Sequence, residues 1–304
     1  MKRIFPCKVQ VFRVFFLLTT IFWLSATFPV NAQDLFKPAT GDVSRKAADF
    51  FKTGIKFLKE GKNSDAAEQF AAAVKLKPDY AEAHNALGTA YFNLKREGEA
   101  AASLREAVRL KPDYAVAYYN LGNLSDRLGE TDSAIENLRR AIKFAPDYLL
   151  AYNLLGNVYL GASRYEEAVS AFRQAARLQP GNARLYCEMG FAYNNLKRHE
   201  DALESYRQAL VVEPDDLEAR NNFAVTLYYL KRFDEAKAQY DKLIGAHPDY
   251  AAARFNLGVL HLAMKNKEAA FKELNALKKL QPNLAAELVN LIHSGKVLRV
   301  NSQK

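Results

Sequence analysis

Between residues 149 and 182 the apolar positions keep the period of two helices rather than of strands. Tyr152, Leu155, Gly156 and Tyr159 fall at i, i+3, i+4 and i+7, one stripe of a first helix. Ala168, Phe172 and Ala175 form the matching stripe of a second. The short turn Gly161, Ala162, Ser163 separates the two. Glu166 and Glu167 open the second helix, where negative charge suits the positive end of the helix dipole. Pro180 closes the unit, because proline cannot continue a helix and restrains the residue before it.

The pattern recurs with a step of 34 residues. Pro78, Pro112, Pro146, Pro180, Pro214, Pro248 and Pro282 are in register, as are Ala66, Ala100, Ala134, Ala168, Ala202, Ala236 and Ala270. Glycine keeps the same step at 54, 88, 122, 156, 190 and 258, with Ala224 in the sixth place. Gly61, Gly129, Lys197 and Lys231 occupy the turn in other units. Each unit therefore predicts a helical hairpin in which Gly156 and Ala168, or their counterparts, face each other and let the axes approach. A lone hairpin leaves one apolar face wet, so neighbours must stack.

Residues 149–182 carry, in order, aromatic-x2-Leu-Gly-x2-Tyr, Ala-x3-Phe and Pro. On these residues the chain resembles the tetratricopeptide repeat family, over 47–284 in units 47–80, 81–114, 115–148, 149–182, 183–216, 217–250 and 251–284. The resemblance implies an all-α fold, a right-handed α-solenoid of stacked helix-turn-helix hairpins with a concave inner face. Ser125, Arg220 and Arg254 replace aromatics and are expected to weaken packing locally. Residues 285–304 predict a capping helix and tail, with Asn283 at the helix start and Leu288, Leu291 and Ile292 covering the last repeat.

Ahead of the repeats, Lys2, Arg3, Lys8 and Arg13 precede an uncharged apolar run from Val14 to Leu24, and small residues flank a cleavage position after Ala32. This is the layout of a secretory signal peptide over 1–32, with an uncleaved anchor as the rival reading. Residues 33–46, with Pro38 and Gly41, read as a linker. The protein is thus expected to be exported, periplasmic or secreted, and to meet a membrane only through that segment if it stays uncleaved. The net charge of +9 is spread among 43 basic and 34 acidic residues, with no block that would follow a phosphate backbone, so nucleic acid is not expected as a partner. Cys7 and Cys187 are the only cysteines, so one thiol remains after cleavage and no disulfide framework is possible.

No motif predicts catalysis, a cofactor or a metal. The five histidines lack metal-ligand spacing, and Gly61-Lys62-Asn63-Ser64 lacks the first glycine of a phosphate loop because position 56 is lysine. In the family resembled, positions 2, 5, 6, 9, 12 and 13 of each unit line the inner face. Here they hold eleven asparagines and seven aromatics. The candidate peptide-binding residues are Asn85, Tyr119, Asn120, Asn123, Asn153, Asn157, Arg184, Asn194, Asn222, Tyr229 and Asn256, with Asn120, Asn123, Asn157, Asn222 and Asn256 foremost. An amide both donates and accepts, and so can pair with any peptide backbone, while aromatics hold apolar side chains. The competing reading is that some of these amides bond between neighbouring helices and only stabilise the stack. The expected function is a non-enzymatic scaffold that binds a partner protein or peptide. Alternatives are an envelope assembly factor or chaperone with many clients, and a sugar-binding or enzyme-accessory subunit. The sequence leaves the oligomeric state open.

Overall fold

The computed structural model describes residues 42–294, all helices and short connections. The expected signal segment and most of the expected linker and tail lie outside them. The fifteen helices form hairpins in chain order. The first three hairpins are α1 Asp42–Lys59 with α2 Asn63–Leu76, α3 Ala81–Asn93 with α4 Glu97–Leu110, and α5 Ala115–Arg127 with α6 Thr131–Phe144. Next come α7 Leu149–Gly161 with α8 Tyr165–Leu178, α9 Ala183–Asn195 with α10 His199–Val212, and α11 Leu217–Tyr229 with α12 Phe233–Ala246. The last hairpin, α13 Ala251–Ala263 with α14 Lys267–Leu280, is followed by α15 Pro282–Ser294. The described residues divide into two compact units between Leu154 and Leu155, inside α7.

In the first unit each helix packs on the next, and the first helices of successive hairpins also touch, α1 on α3 and α3 on α5. The second unit repeats this: α9 touches α11, α11 touches α13, and α13 touches α15. In each unit the first helices therefore form one layer and the second helices the other.

The local causes are those the sequence names. Each residue before a repeat proline is extended, from Lys77 (φ −133, ψ 86) to Gln281 (φ −151, ψ 88), because the proline ring excludes the helical conformation there. Its N–H still closes the helix end, as Lys77 N does on Ala73 O at 2.9 Å. The turn inside each hairpin needs one left-handed residue. Gly61 (φ 74) and Gly129 (φ 77) take it without strain, whereas Lys95, Ser163, Lys197, Lys231 and Lys265 are held near φ 60.

Three expectations change. Gly156 faces Phe172 rather than Ala168: a Cβ on Gly156 would lie 2.6 Å from that ring. Gly54, Gly88, Gly122 and Gly190 meet Phe70, Leu104, Leu138 and Tyr206 in the same way, each sixteen residues later, so glycine makes room for a large side chain of the partner helix, while a Cβ at Gly88 or Gly122 would also approach the backbone of the expected alanines, Ala100 O at 3.1 Å and Ala134 O at 3.3 Å. Helix starts also move. Asp42 to Lys46, expected in the linker, are helical, and the final helix begins at Pro282, one residue before the expected Asn283 and three before the expected unit 285–304. Proline suits a first helical position because its missing N–H would have no partner there. Leu288 and Ile292 of that helix are buried, and Leu288 lies against Gly258.

The arginines at 220 and 254 are not packing defects. Arg254 Nε donates to Pro248 O at 2.6 Å, and its Nη1 reaches Glu273 Oε2 at 2.9 Å. Arg220 bonds Pro214 O and Gln239 Oε1 in the same way. His84, at the equivalent place, lies 2.9 Å from Pro78 O. A polar side chain here secures the junction carbonyl, while Tyr118 instead stacks on Phe144 at 5.7 Å.

Candidate binding surface

The first helices carry the asparagines, and their 34-residue register sorts these into two groups. In the first unit Asn120 Nδ2 donates to Asn85 Oδ1 at 2.8 Å and to Thr89 Oγ1 at 3.3 Å. In the second, Asn256 Nδ2 donates to Asn221 Oδ1 at 2.9 Å. All four amides are buried. The spacing is 35 residues in both cases, so the sixth position of one repeat reaches the fifth of the repeat before it. Satisfied amides buried between helices hold the stack together. Asn85, Asn120 and Asn256, expected in the peptide-binding set, thus each commit one side-chain group to a neighbouring helix.

Asn194 is also engaged. It donates to Thr226 Oγ1 at 2.8 Å, its Oδ1 lies 3.0 Å from His199 Nδ1, and Thr226 donates on to Asn222 O at 2.8 Å. His199 stacks on Tyr229 with centroids 4.9 Å apart and planes at 10°. Burial pulls the imidazole below its usual range and pushes the Tyr229 hydroxyl up, so both rings are neutral near pH 7. Asn153 and Asn157 are half-buried on α7. Arg184 is exposed, with Nε 3.6 Å from Glu188 Oε1.

Two asparagines differ. Asn123 and Asn222 are half-buried, and among the described residues their side-chain amides engage no other group of the chain. Each can still donate and accept.

The first unit brings aromatics to the same layer. Phe51 lies 5.1 Å from Tyr80, and Tyr119 lies 5.2 Å from Tyr148. Burial pushes the Tyr80 hydroxyl up to about 12, with nearby Glu82 adding to it, and raises Tyr114, Tyr119 and Tyr148 as well. These phenols are neutral and partly desolvated. Arg127 covers the Phe92 ring at 3.9 Å and is fixed by Phe92 O at 3.1 Å and Glu97 at 3.2 Å. Tyr80, Tyr114 and Tyr148 each follow a repeat proline by two residues and were not among the expected site residues. Their 34-residue spacing was the available signal. Thr89, Thr226 and His199 were likewise not among the expected residues, and no periodicity singles them out.

Cys187 is half-buried on α9, its Sγ 4.0 Å from Asp216 Oδ2. Asp216 also caps α11, accepting from Glu218 N at 2.9 Å and Ala219 N at 3.0 Å.

Comparison with known proteins agrees with the architecture. Residues 51–115, 119–183 and 221–285 match a family model described as tetratricopeptide repeat, and residues 183–216 match a second of the same description. YrrB, described as a TPR protein with an unusual peptide-binding site, is 28% identical with a TM-score of 0.53, over 63% of this chain and 100% of that one. MamA is 28% identical with a TM-score of 0.52, over 56% of this chain and 93% of that one. A tetratricopeptide repeat protein from Parabacteroides merdae, 18% identical with a TM-score of 0.55 over 82% of this chain and 99% of that one, shares the fold. No curated protein matches the chain.

Proposed function

The chain belongs to the tetratricopeptide repeat family, and from that premise we propose that it is a scaffold whose first-helix layers dock a partner polypeptide. The observation that carries the proposal is the pair of unspent amides, Asn123 in the first unit and Asn222 in the second. Neighbouring asparagines are consumed in holding helices together. An amide left half-buried with both hydrogen-bonding groups open is a ready partner for a peptide main chain, whatever the peptide's sequence. The desolvated tyrosines beside it offer apolar area that is already fixed in place, so little conformational entropy is lost on binding.

The N-terminal pattern of basic residues, apolar run and Ala32 supports a site of action outside the cytoplasm. N-terminal sequencing of protein from fractionated cells should find Gln33 first; a chain that keeps Met1 in the cytoplasmic fraction would remove that part of the reading.

The docking face is tested by placing a photo-crosslinking residue at 123 or 222 and, for contrast, at the exposed second-helix positions Arg139 or Lys242. Polypeptide adducts in the native cell should concentrate at 123 and 222. Equal yields from the second-helix positions would overturn the assignment of the face.

A further inference from the structure

In the first unit each second helix is held at its start by the first helix that follows it. Asn93 Nδ2 donates to Asn63 Oδ1 at 3.0 Å, and Arg127 Nη2 lies 3.2 Å from Glu97 Oε1. Asn63 and Glu97 are the residues that open α2 and α4. Asn93 and Arg127 are both at position thirteen of their units. At position four, His84 lies 2.9 Å from the carbonyl of Pro78, in the junction that follows α2. A first helix therefore runs antiparallel to the second helix before it. Position eleven falls between these two points. Tyr91 packs there against the core shared with the preceding hairpin, and its counterpart Ser125 is buried. In the second unit Tyr159, Tyr193, Leu227 and His261 hold the same position and are buried too.

No hairpin precedes α1 among the described residues. Positions four, eleven and thirteen of its unit are Phe50, Phe57 and Lys59. Phe50 is 37% exposed, Phe57 is half-buried and Lys59 is exposed, with no ion pair among the described residues. Val43, 55% exposed, continues the row seven residues before Phe50. Steps of seven keep all three apolar side chains on one line of the helix. A terminal repeat needs a polar outer face. The last hairpin meets that need with α15, whose exposed residues are Asn283, Ala286, Asn290, His293 and Ser294 besides its first, Pro282. The face of α1 does not. Its charge says what fits there. Arg45, Lys46, Lys52, Lys56 and Lys59 stand against Asp42 and Asp49, and Asp42 already holds Arg45 and Lys46. A second copy on this face would bring two sets of lysines together, whereas an acidic occupant is complementary to them.

We propose that this face of α1 docks an amphipathic helix of a partner protein, antiparallel to α1, with an acid of its first turn at Lys59 and its apolar row over Phe57 and Phe50. The partner helix extends the stack by taking the place that a preceding second helix fills elsewhere. Glu97 beside Arg127 is the internal template for its acid. An acid in the first turn also suits the positive end of the partner's own helix dipole. From Lys59 to Phe50 α1 rises about 14 Å, so a helix of about three turns covers the row.

The experiment places a photo-crosslinking residue at position 50 of the full chain in its native cell and, for contrast, at exposed Ala286 of α15. Adducts are sequenced, and the crosslinked segment is made as a stapled peptide, because a short helix alone is marginal in water. Expected at position 50 is a segment of another protein with one apolar helical face and an acid in its first turn, with little adduct at 286. Its binding to the full chain should fall on the order of three- to tenfold in Lys59→Glu and in Phe50→Ser. Changing the peptide's first-turn acid to lysine should recover the Lys59→Glu loss. Both side chains are exposed, so thermal melts of the two variants should match wild type. A crosslink to lipid, to a second copy or to residues of the same chain before Asp42 would overturn the proposal. So would equal yields at 50 and 286, no adduct at 50, or an affinity indifferent to Lys59→Glu. The α1 face does not include Asn123 or Asn222, so the docking layer proposed above stands or falls by its own crosslinks.

Discussion

Arg254 and Glu273 form an ion pair across the last hairpin, with Nη1 2.9 Å from Oε2 and side chains 17% and 10% exposed. The guanidinium also holds the Pro248 carbonyl, so the pair ties a junction, a first helix and a second helix together. Removing one partner leaves the other charge in a largely dry place. Glu273→Ala should lower unfolding free energy by about 2 kcal/mol. Glu273→Gln should cost less, because Gln239 already serves Arg220 in the same geometry one repeat earlier. Urea melts of the two variants decide the point; equal losses would show that charge and not the bond is what counts.

The buried amide pairs act on stability. Asn120→Ala leaves Asn85 Oδ1 buried without its donor and should cost about 1–3 kcal/mol. Asn123→Ala, three residues along the same helix, removes an amide with no partner among the described residues and should change stability little. If chemical denaturation shows both variants alike, the division of asparagines into structural and docking groups fails.

Glycine position separates two effects of the same substitution. A Cβ at Gly190 would fall 2.7 Å from the ring of Tyr206, whose side chain is fully buried, so Gly190→Ala should destabilise by about 1–3 kcal/mol. A Cβ at Gly98 meets nothing within 4 Å and lies in α4, so Gly98→Ala should stabilise by roughly 0.5–1 kcal/mol through reduced backbone entropy of the unfolded chain. Calorimetric melting temperatures should move in opposite directions.

Stability should also fall as pH drops below neutrality. His261 is buried on α13, and its Nδ1 has no hydrogen-bond partner. Burial first, and Lys237 second, pull its imidazole below the usual 6.5, against the smaller pull of Glu273 and Asp241. His199 is displaced the same way, again chiefly by burial. A lowered folded pKa means that the unfolded chain binds the extra proton first. The neutral-state stability is therefore whole above about 6.5 and is lost as pH falls through the folded value. His261→Gln should flatten the dependence of the urea midpoint between pH 7 and 5; a slope identical to wild type would show that this imidazole is not responsible.

What was legible in the chain follows from how local each feature is. Helices, turns and junctions depend on a few consecutive residues, so Pro78 and its successors, Gly61 and Gly129 announce them directly. The exact helix starts at Asp42 and Pro282 were less visible, because no change of period marks them. The glycine series announced close helix contact, but the partner, Phe172 rather than Ala168, depends on how far one helix is rotated about its axis against the other. Arg220 and Arg254 looked like losses because their acceptors, a junction carbonyl six residues back and a side chain nineteen residues on, lie outside the helix that carries the arginine and come within reach only when the hairpin closes.

The sequence by itself determined that this is a stack of helical hairpins, since a 34-residue repeat of small, aromatic and proline positions admits no other regular arrangement. It also determined that, from the second hairpin on, asparagine is concentrated on the first helix. Only the tertiary structure decided which asparagines face one another and which face outward. Two equal amides in equivalent helices have the same propensity and periodicity. They differ only in what the neighbouring repeat places opposite them, Asn85 before Asn120 but Cys187 before Asn222, and that opposition exists only once the helices have packed.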